Sequence, residues 1–165
     1  PTGGDTWFVS MYDALEGLSA GLRDSLKQMR AVHSAHHVFG TKARADLESG
    51  ARISNPASAD ALSDPVHPVI IKHPLSGKEA LYINPGFTLR FEGWTEEESR
   101  PLLEFLYSQA TKPENITRFK WLPGSIAFWD NRATWHNAQN DYHGFRREMH
   151  RITIEGCELE PADFQ

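Results

Sequence analysis

Between residues 15 and 29, Leu15, Leu18, Leu22, Leu26 and Met29 recur at steps of three and four, the spacing of one helical face. Gly17 and Gly21 interrupt that stripe at about 1 kcal/mol each relative to alanine, and Ser19 offers a fresh N-cap. The pattern therefore predicts two short helices, preceded by a β-forming run, Thr6-Trp7-Phe8-Val9-Ser10. From Val66 the grammar turns to strand. Val69-Ile70-Ile71-Lys72 and Ala80-Leu81-Tyr82-Ile83 flank the turn residues Pro74-Leu75-Ser76-Gly77, which predicts a hairpin. Thr95-Glu96-Glu97-Glu98 has the form of a capping box, with acidic charge on the positive end of the helix it opens. Leu102, Leu103, Leu106 and Ala110 follow on one face, and Lys112-Pro113 ends it.

The carboxyl half reads as antiparallel β, with short strands expected over 117–121, 125–129, 133–138 and 147–154 between turn signals such as Pro123-Gly124 and Asp130-Asn131. In the last of these, residues 147, 149, 151 and 153 share one face and 148, 150, 152 and 154 the other. Two readings stand side by side. Either Ile152 and Ile154 face the core while Arg147 and Arg151 are solvated, or the arginines face a polar cavity holding a carboxylate or sulfonate through paired, charge-assisted hydrogen bonds. The stretch 40–65 has scattered Ala, Ser and Asp and few large apolar residues, and reads as a mobile loop or lid.

Composition narrows the classes. Of the 165 residues 39% are hydrophobic and 24% charged, which fits one ordinary globular domain. Seventeen basic residues stand against twenty-two acidic ones, and no stretch gathers the cationic patch a phosphate backbone requires, so nucleic acid is not expected as a partner. No apolar run reaches the ~20 residues that cross a bilayer, so no membrane association is expected. The single cysteine, Cys157, makes no internal bridge and fits a cytoplasmic location. Homo-oligomerisation is left open. Because the chain starts at Pro1, in the approach to a strand, it reads as the carboxyl-terminal part of a domain.

The eight histidines contain no strong internal metal motif: His33 and His37 share a helical spacing without the glutamate of a zinc protease. Phosphate-binding loops, dinucleotide fingerprints and nucleophile elbows are likewise absent from the sequence. More informative is Trp129-Asp130-Asn131-Arg132 followed by Thr134 and His136. Together with Gly3-Gly4-Asp5-Thr6, His73-Pro74-Leu75-Ser76-Gly77-Lys78, Asn84-Pro85-Gly86-Phe87-Thr88 and Met149-His150-Arg151, it resembles the taurine dioxygenase family of Fe(II)- and 2-oxoglutarate-dependent oxygenases. The resemblance runs nearly end to end, apart from 40–65.

That resemblance implies a mainly β fold with flanking helices around a double-stranded β-helix, or jelly-roll, core, here lacking its N-terminal strands. It implies Fe(II), 2-oxoglutarate and O2 as cofactor and cosubstrates, and hydroxylation of a small anion (taurine, another sulfonate or an alkyl sulfate) with release of succinate and CO2. By the same resemblance His136 is a metal ligand, Thr6 and Arg147 bind 2-oxoglutarate, and Arg151 grips the anionic head of the substrate. Phe87 and Phe39 fall where the family packs aromatics beside the substrate's carbon chain, although aromatics in such places also serve as core; Trp129 and Trp135 are expected to be packing. One departure matters: the family's other two ligands come as His-x-Asp or His-x-Glu, and no histidine here has an acidic residue two positions on. In the family that pair precedes the Gly-Gly-Asp-Thr segment, hence Pro1. The alternative is a non-catalytic β-helix module that binds a small anion or a partner.

Overall fold

The computed structural model describes residues 3–34 and 64–162. Strand β1 (Thr6–Ser10) leads directly into α1 (Met11–Glu16), whose first turn is capped by Ser10 accepting from the Asp13 N–H. A second helix, α2 (Ala20–Lys27), opens on Ser19, whose hydroxyl accepts from the Leu22 N–H, so the interrupted stripe does form two helices. It ends earlier than Met29. Strand β2 (Arg30–His33) follows at once, then β3 (Val66–Pro68) and the hairpin β4 (Ile70–Lys72) and β5 (Glu79–Leu81). That hairpin pairs Ile70 with Leu81 and Ile71 with Ala80, burying all four side chains. Gly77, at φ +68°, supplies the left-handed residue of its turn.

Strand β6 (Thr88–Phe91) leads to α3 (Glu96–Ala110), where Thr95 and Glu98 complete the capping box reciprocally. Ser99, fully buried, ties the two together: its hydroxyl donates to the Thr95 carbonyl at 2.8 Å and accepts from the Phe91 N–H at 3.0 Å. A 3-10 turn (Pro113–Asn115) then enters β7 (Ile116–Phe119), and β8 (Thr134–Ala138) and the short β9 (Glu160–Pro161) complete the order.

These strands make three separate antiparallel sheets, ordered β7-β1-β8, β3-β2-β6 and β5-β4-β9. The core lies between α1, α2, α3 and the hairpin, centred on Met11, Leu26, Ile70, Ile71, Phe91 and Leu106. Among the described residues no sheet closes into a barrel, and the expected double-stranded β-helix core is therefore corrected to a mixed α/β arrangement of three small sheets. The physical reason is visible in two segments. Residues 125–129 and 147–154 have strand-like alternation, yet neither joins a ladder. Among the described residues their apolar side chains have little to pack on: Ile126 and Phe128 are each 88% exposed, Ile152 92% and Ile154 71%. Ile152 and Ile154 thus do not face the core.

At the start of the described chain Gly3 and Gly4 have φ of +101° and +75°. A Cβ on Gly3 would lie 2.7 Å from the Asp141 carbonyl oxygen, and one on Gly4 3.0 Å from Arg147 Cδ. The Gly4 N–H donates to Asp141 Oδ1 at 2.6 Å, which fastens this entry to the 141–147 segment. No helix among the described residues is long and apolar enough to cross a membrane. Phe39 and nearly all of the 40–65 stretch lie outside the described residues.

Candidate functional site

The candidate site is a cavity of about 560 Å³ walled by three parts of the chain. From β2, β3 and the strand exit after β5 come His33, His67 and Tyr82, whose rings meet at centroid distances of 5.3 to 5.6 Å. Asn84 and Phe87 come from the turn before β6. There Asn84 Oδ1 accepts from the Gly86 N–H at 2.7 Å, and its own N–H donates to Thr88 Oγ1 at 2.8 Å. Trp135 and His136 come from β8, and Arg132 and Arg151 from the flanking loops.

The register of β1 against β8 sets Phe8 opposite His136. Trp129 packs on both, 5.3 Å from Phe8 and 4.9 Å from the His136 imidazole. The Arg151 guanidinium lies 5.9 Å from the centre of that same indole, a cation–π placement, and Arg151 also lines the cavity. Removal from water and then the neighbouring Arg151 charge hold the His136 pKa below its ordinary value. Trp135 is anchored by donating Nε1–H to the Ile83 carbonyl at 2.8 Å.

The deeper wall is also neutral at pH 7. Burial and then His67 lower the His33 pKa to about 4, while burial and then Arg30 lower that of His67. His33 Nδ1 is 3.3 Å from the Thr88 hydroxyl, and its buried Nε2 has no hydrogen-bond partner among the described residues. Behind Arg132 stands a rigid brace. Asp130 takes its Nη2 at 2.6 Å and its Nε at 2.9 Å, and also accepts from buried His73 Nε2 at 3.0 Å. The Ser76 N–H donates to His73 Nδ1, which fixes Nε2 as the protonated nitrogen. Arg132 above all holds the Asp130 carboxyl well below the usual carboxylate range.

Of the residues singled out from sequence, His136, Arg151 and Phe87 line this one cavity. Thr6 and Arg147 do not. Thr6 is buried in β1, its hydroxyl accepting from Trp121 Nε1 at 2.9 Å, and Arg147 donates Nε–H to the Gly4 carbonyl at 3.1 Å beside the Tyr142 ring. Sequence reasoning missed His33, His67, Tyr82, Asn84 and Arg132, and it took Trp129 and Trp135 for packing alone. His33 and His67 are separated by more than thirty residues in sequence, so only the β2–β3 pairing brings them together.

The metal expectation fails on the donor set. Among the described residues no group of three or more His, Cys, Asp or Glu side chains is placed to hold a metal ion. His136 has the Trp129 ring and the Arg151 cation as neighbours, and a guanidinium there repels a second cation. These residues do not fit iron, so the expected assignment of Fe(II), 2-oxoglutarate and O2, and with it the 2-oxoglutarate-dependent dioxygenase activity, is corrected: the described residues make no such centre.

Comparison with known proteins places the chain by descent. Residues 1–153 match the family model "Taurine catabolism dioxygenase TauD, TfdA family". An alkylsulfatase of Acinetobacter baylyi is 35% identical over 94% of this chain and 49% of its own length. An alpha-ketoglutarate-dependent sulfate ester dioxygenase of Pseudomonas putida is 32% identical over 94% of this chain and 51% of its own. Among solved structures, a taurine dioxygenase from Burkholderia xenovorans superposes with a TM-score of 0.66 and 38% identity, covering 88% of this chain and 44% of that one. The chain spans about half the length of the curated relatives it matches. A match over residues 1–153 together with end-to-end similarity at this level settles its descent: the chain belongs to the TauD, TfdA family of taurine catabolism dioxygenases.

Proposed function

We propose that these residues form a small-anion-binding module, the cavity taking a sulfate ester, sulfonate or carboxylate with an apolar tail. The observation that carries the reading is the convergence of Arg151, His136 and Phe87 on one cavity whose remaining wall includes Leu81, Ile83 and Met11. Arg151 meets the anionic head with planar paired donors, and the neutral His136 adds a hydrogen bond without its own charge. The tail lies along Phe87 and the aliphatic wall, where each buried CH2 contributes about 0.8 kcal/mol. Relatives named for alkyl sulfates, sulfate esters and taurine support this ligand class. Arg147 and Asp141, bonded to the Gly4 backbone, fasten the 141–147 segment to the entry of β1. A cytoplasmic location belongs to the same reading, on the strength of the single cysteine.

Calorimetric titration with hexyl sulfate, with hexanol as the neutral control, tests this. Binding of the sulfate and not the alcohol, weakened about tenfold by Arg151→Ala, is expected. Equal binding of both compounds, or indifference to the Arg151 change, would overturn it.

A further inference from the structure

Beside its aliphatic lining the cavity has a polar wall, made by His33, His67, Tyr82 and Asn84. An alkyl tail alone makes no use of it. His33 and His67 lie on β2 and β3, whereas His136 lies on β8 of another sheet, so the polar wall and the head-binding groups come from different parts of the fold. An irregularity in the ladder places His33. Val32 pairs with Arg90 but His33 with Thr88, which leaves Leu89 as the extra residue of a β-bulge, a device that re-aims a side chain and recurs beside functional sites. The Ala31–His67 pairing then sets His67 diagonally across from His33, with the two rings 5.3 Å apart.

His33 is only 8% exposed, and its Nε2 has no hydrogen-bond partner among the described residues. Such an atom calls for a partner from outside the chain, because buried polar groups are rarely left unpaired. Its Nδ1 faces Thr88 Oγ1, which also accepts from the Asn84 N–H. Burial keeps His33 and His67 neutral at pH 7, so this wall does not attract a second anion. A hydroxyl suits it in either imidazole tautomer, since a hydroxyl donates to a bare ring nitrogen and accepts from a protonated one. We propose that the polar wall is a subsite for a hydroxyl group on the ligand's tail, which makes the preferred ligand an ω-hydroxyalkyl sulfate or sulfonate. The inference rests on the anion binding at Arg151 and His136 proposed for this cavity. An all-carbon tail leaves His33 Nε2 unpaired when it fills the cavity, and sites built to bond a hydroxyl discriminate against the analogue that lacks it.

The test is calorimetry on the 165-residue chain with ω-hydroxyalkyl sulfates of graded length, each set against the alkyl sulfate with the same number of non-hydrogen atoms. At the length that reaches His33, the hydroxylated member should bind about fivefold tighter than its alkyl counterpart. His33→Phe should abolish that preference without weakening the alkyl sulfate, and His33→Gln, which keeps a donor and an acceptor, should restore part of it. Nitrogen-15 NMR of the unsubstituted chain gives a reading that no variant can disturb: the His33 ring signals should move with the hydroxylated ligand and not with the alkyl one. If alkyl sulfates bind but no hydroxylated member is preferred, or if the His33 signals respond equally to both, the subsite is overturned and anion binding stands. Equal weakening of both ligands by His33→Phe would likewise overturn it, by making the imidazole a structural support only. Failure of every sulfate to bind would overturn the subsite and the anion site together.

Discussion

Trp129 carries Arg151 on its indole at 5.9 Å while packing against the His136 imidazole at 4.9 Å, so one aromatic side chain contacts two polar groups that line the cavity. Exposed cation–π contacts contribute about 0.5–1 kcal/mol. Trp129→Leu should therefore weaken hexyl sulfate binding roughly two- to fivefold without removing any charge. It should also raise the His136 pKa towards its ordinary value, as the ring gains water and Arg151 moves away. Calorimetry and an NMR titration of the imidazole check the two halves independently.

The buried His33 gives the fold an acid limit. Its folded pKa, about 4, lies below the unfolded value of about 6.5, so the unfolded chain binds the extra proton between those pH values. The stabilisation from keeping it neutral is complete above pH 6.5 and is lost as pH falls towards 4, up to roughly 3 kcal/mol. Urea unfolding at intervals between pH 7 and 4 should show this slope. His33→Gln should flatten it, and an unchanged slope would mean that the imidazole is not neutral in the folded state.

Anion affinity should move the opposite way with pH. His67 and His136 both have lowered pKa values and are neutral at pH 7, so acidification below 6.5 adds positive charge around the Arg151 site. Hexyl sulfate should bind more tightly as pH falls, until loss of the fold intervenes. His136→Gln should remove part of that gain.

Asp130 joins Arg132 and the imidazole of His73 through one carboxylate. Its replacement by Asn leaves Arg132 with a weaker acceptor and buried His73 with a neutral one. The expected loss is about 1–2 kcal/mol of stability, kept modest because the carboxylate is partly solvated. Thermal unfolding with and without the change measures it. Ser99→Ala should cost about 1–3 kcal/mol, since the buried Phe91 N–H then loses its acceptor.

Local signals carried the amino half and the long helix well. Ser19, Thr95 and Glu98 are short-range devices that act within four residues, and each is found at its predicted task. Alternation in 125–129 and 147–154 was equally legible, but a strand needs a neighbour, and periodicity says nothing of whether one is present. The cavity was legible only in part. His136, Arg151 and Phe87 stood out through motif resemblance, whereas His33, His67 and Tyr82 meet through sheet pairing across stretches of chain that share no motif. Thr6 and Arg147 stand outside the lining of that cavity, Thr6 accepting from Trp121 and Arg147 donating to the Gly4 carbonyl.

Gly3 is solvent-exposed, yet its positive φ and the Asp141 carbonyl 2.7 Å from any added Cβ leave no room for another residue. In a saturation library this surface position should tolerate substitution as poorly as Leu26 or Ile71 in the centre of the molecule. Exposure alone would misclassify it as permissive. A substitution chosen there for solubility or labelling would act at a distance, by prising the 141–147 segment from the start of β1.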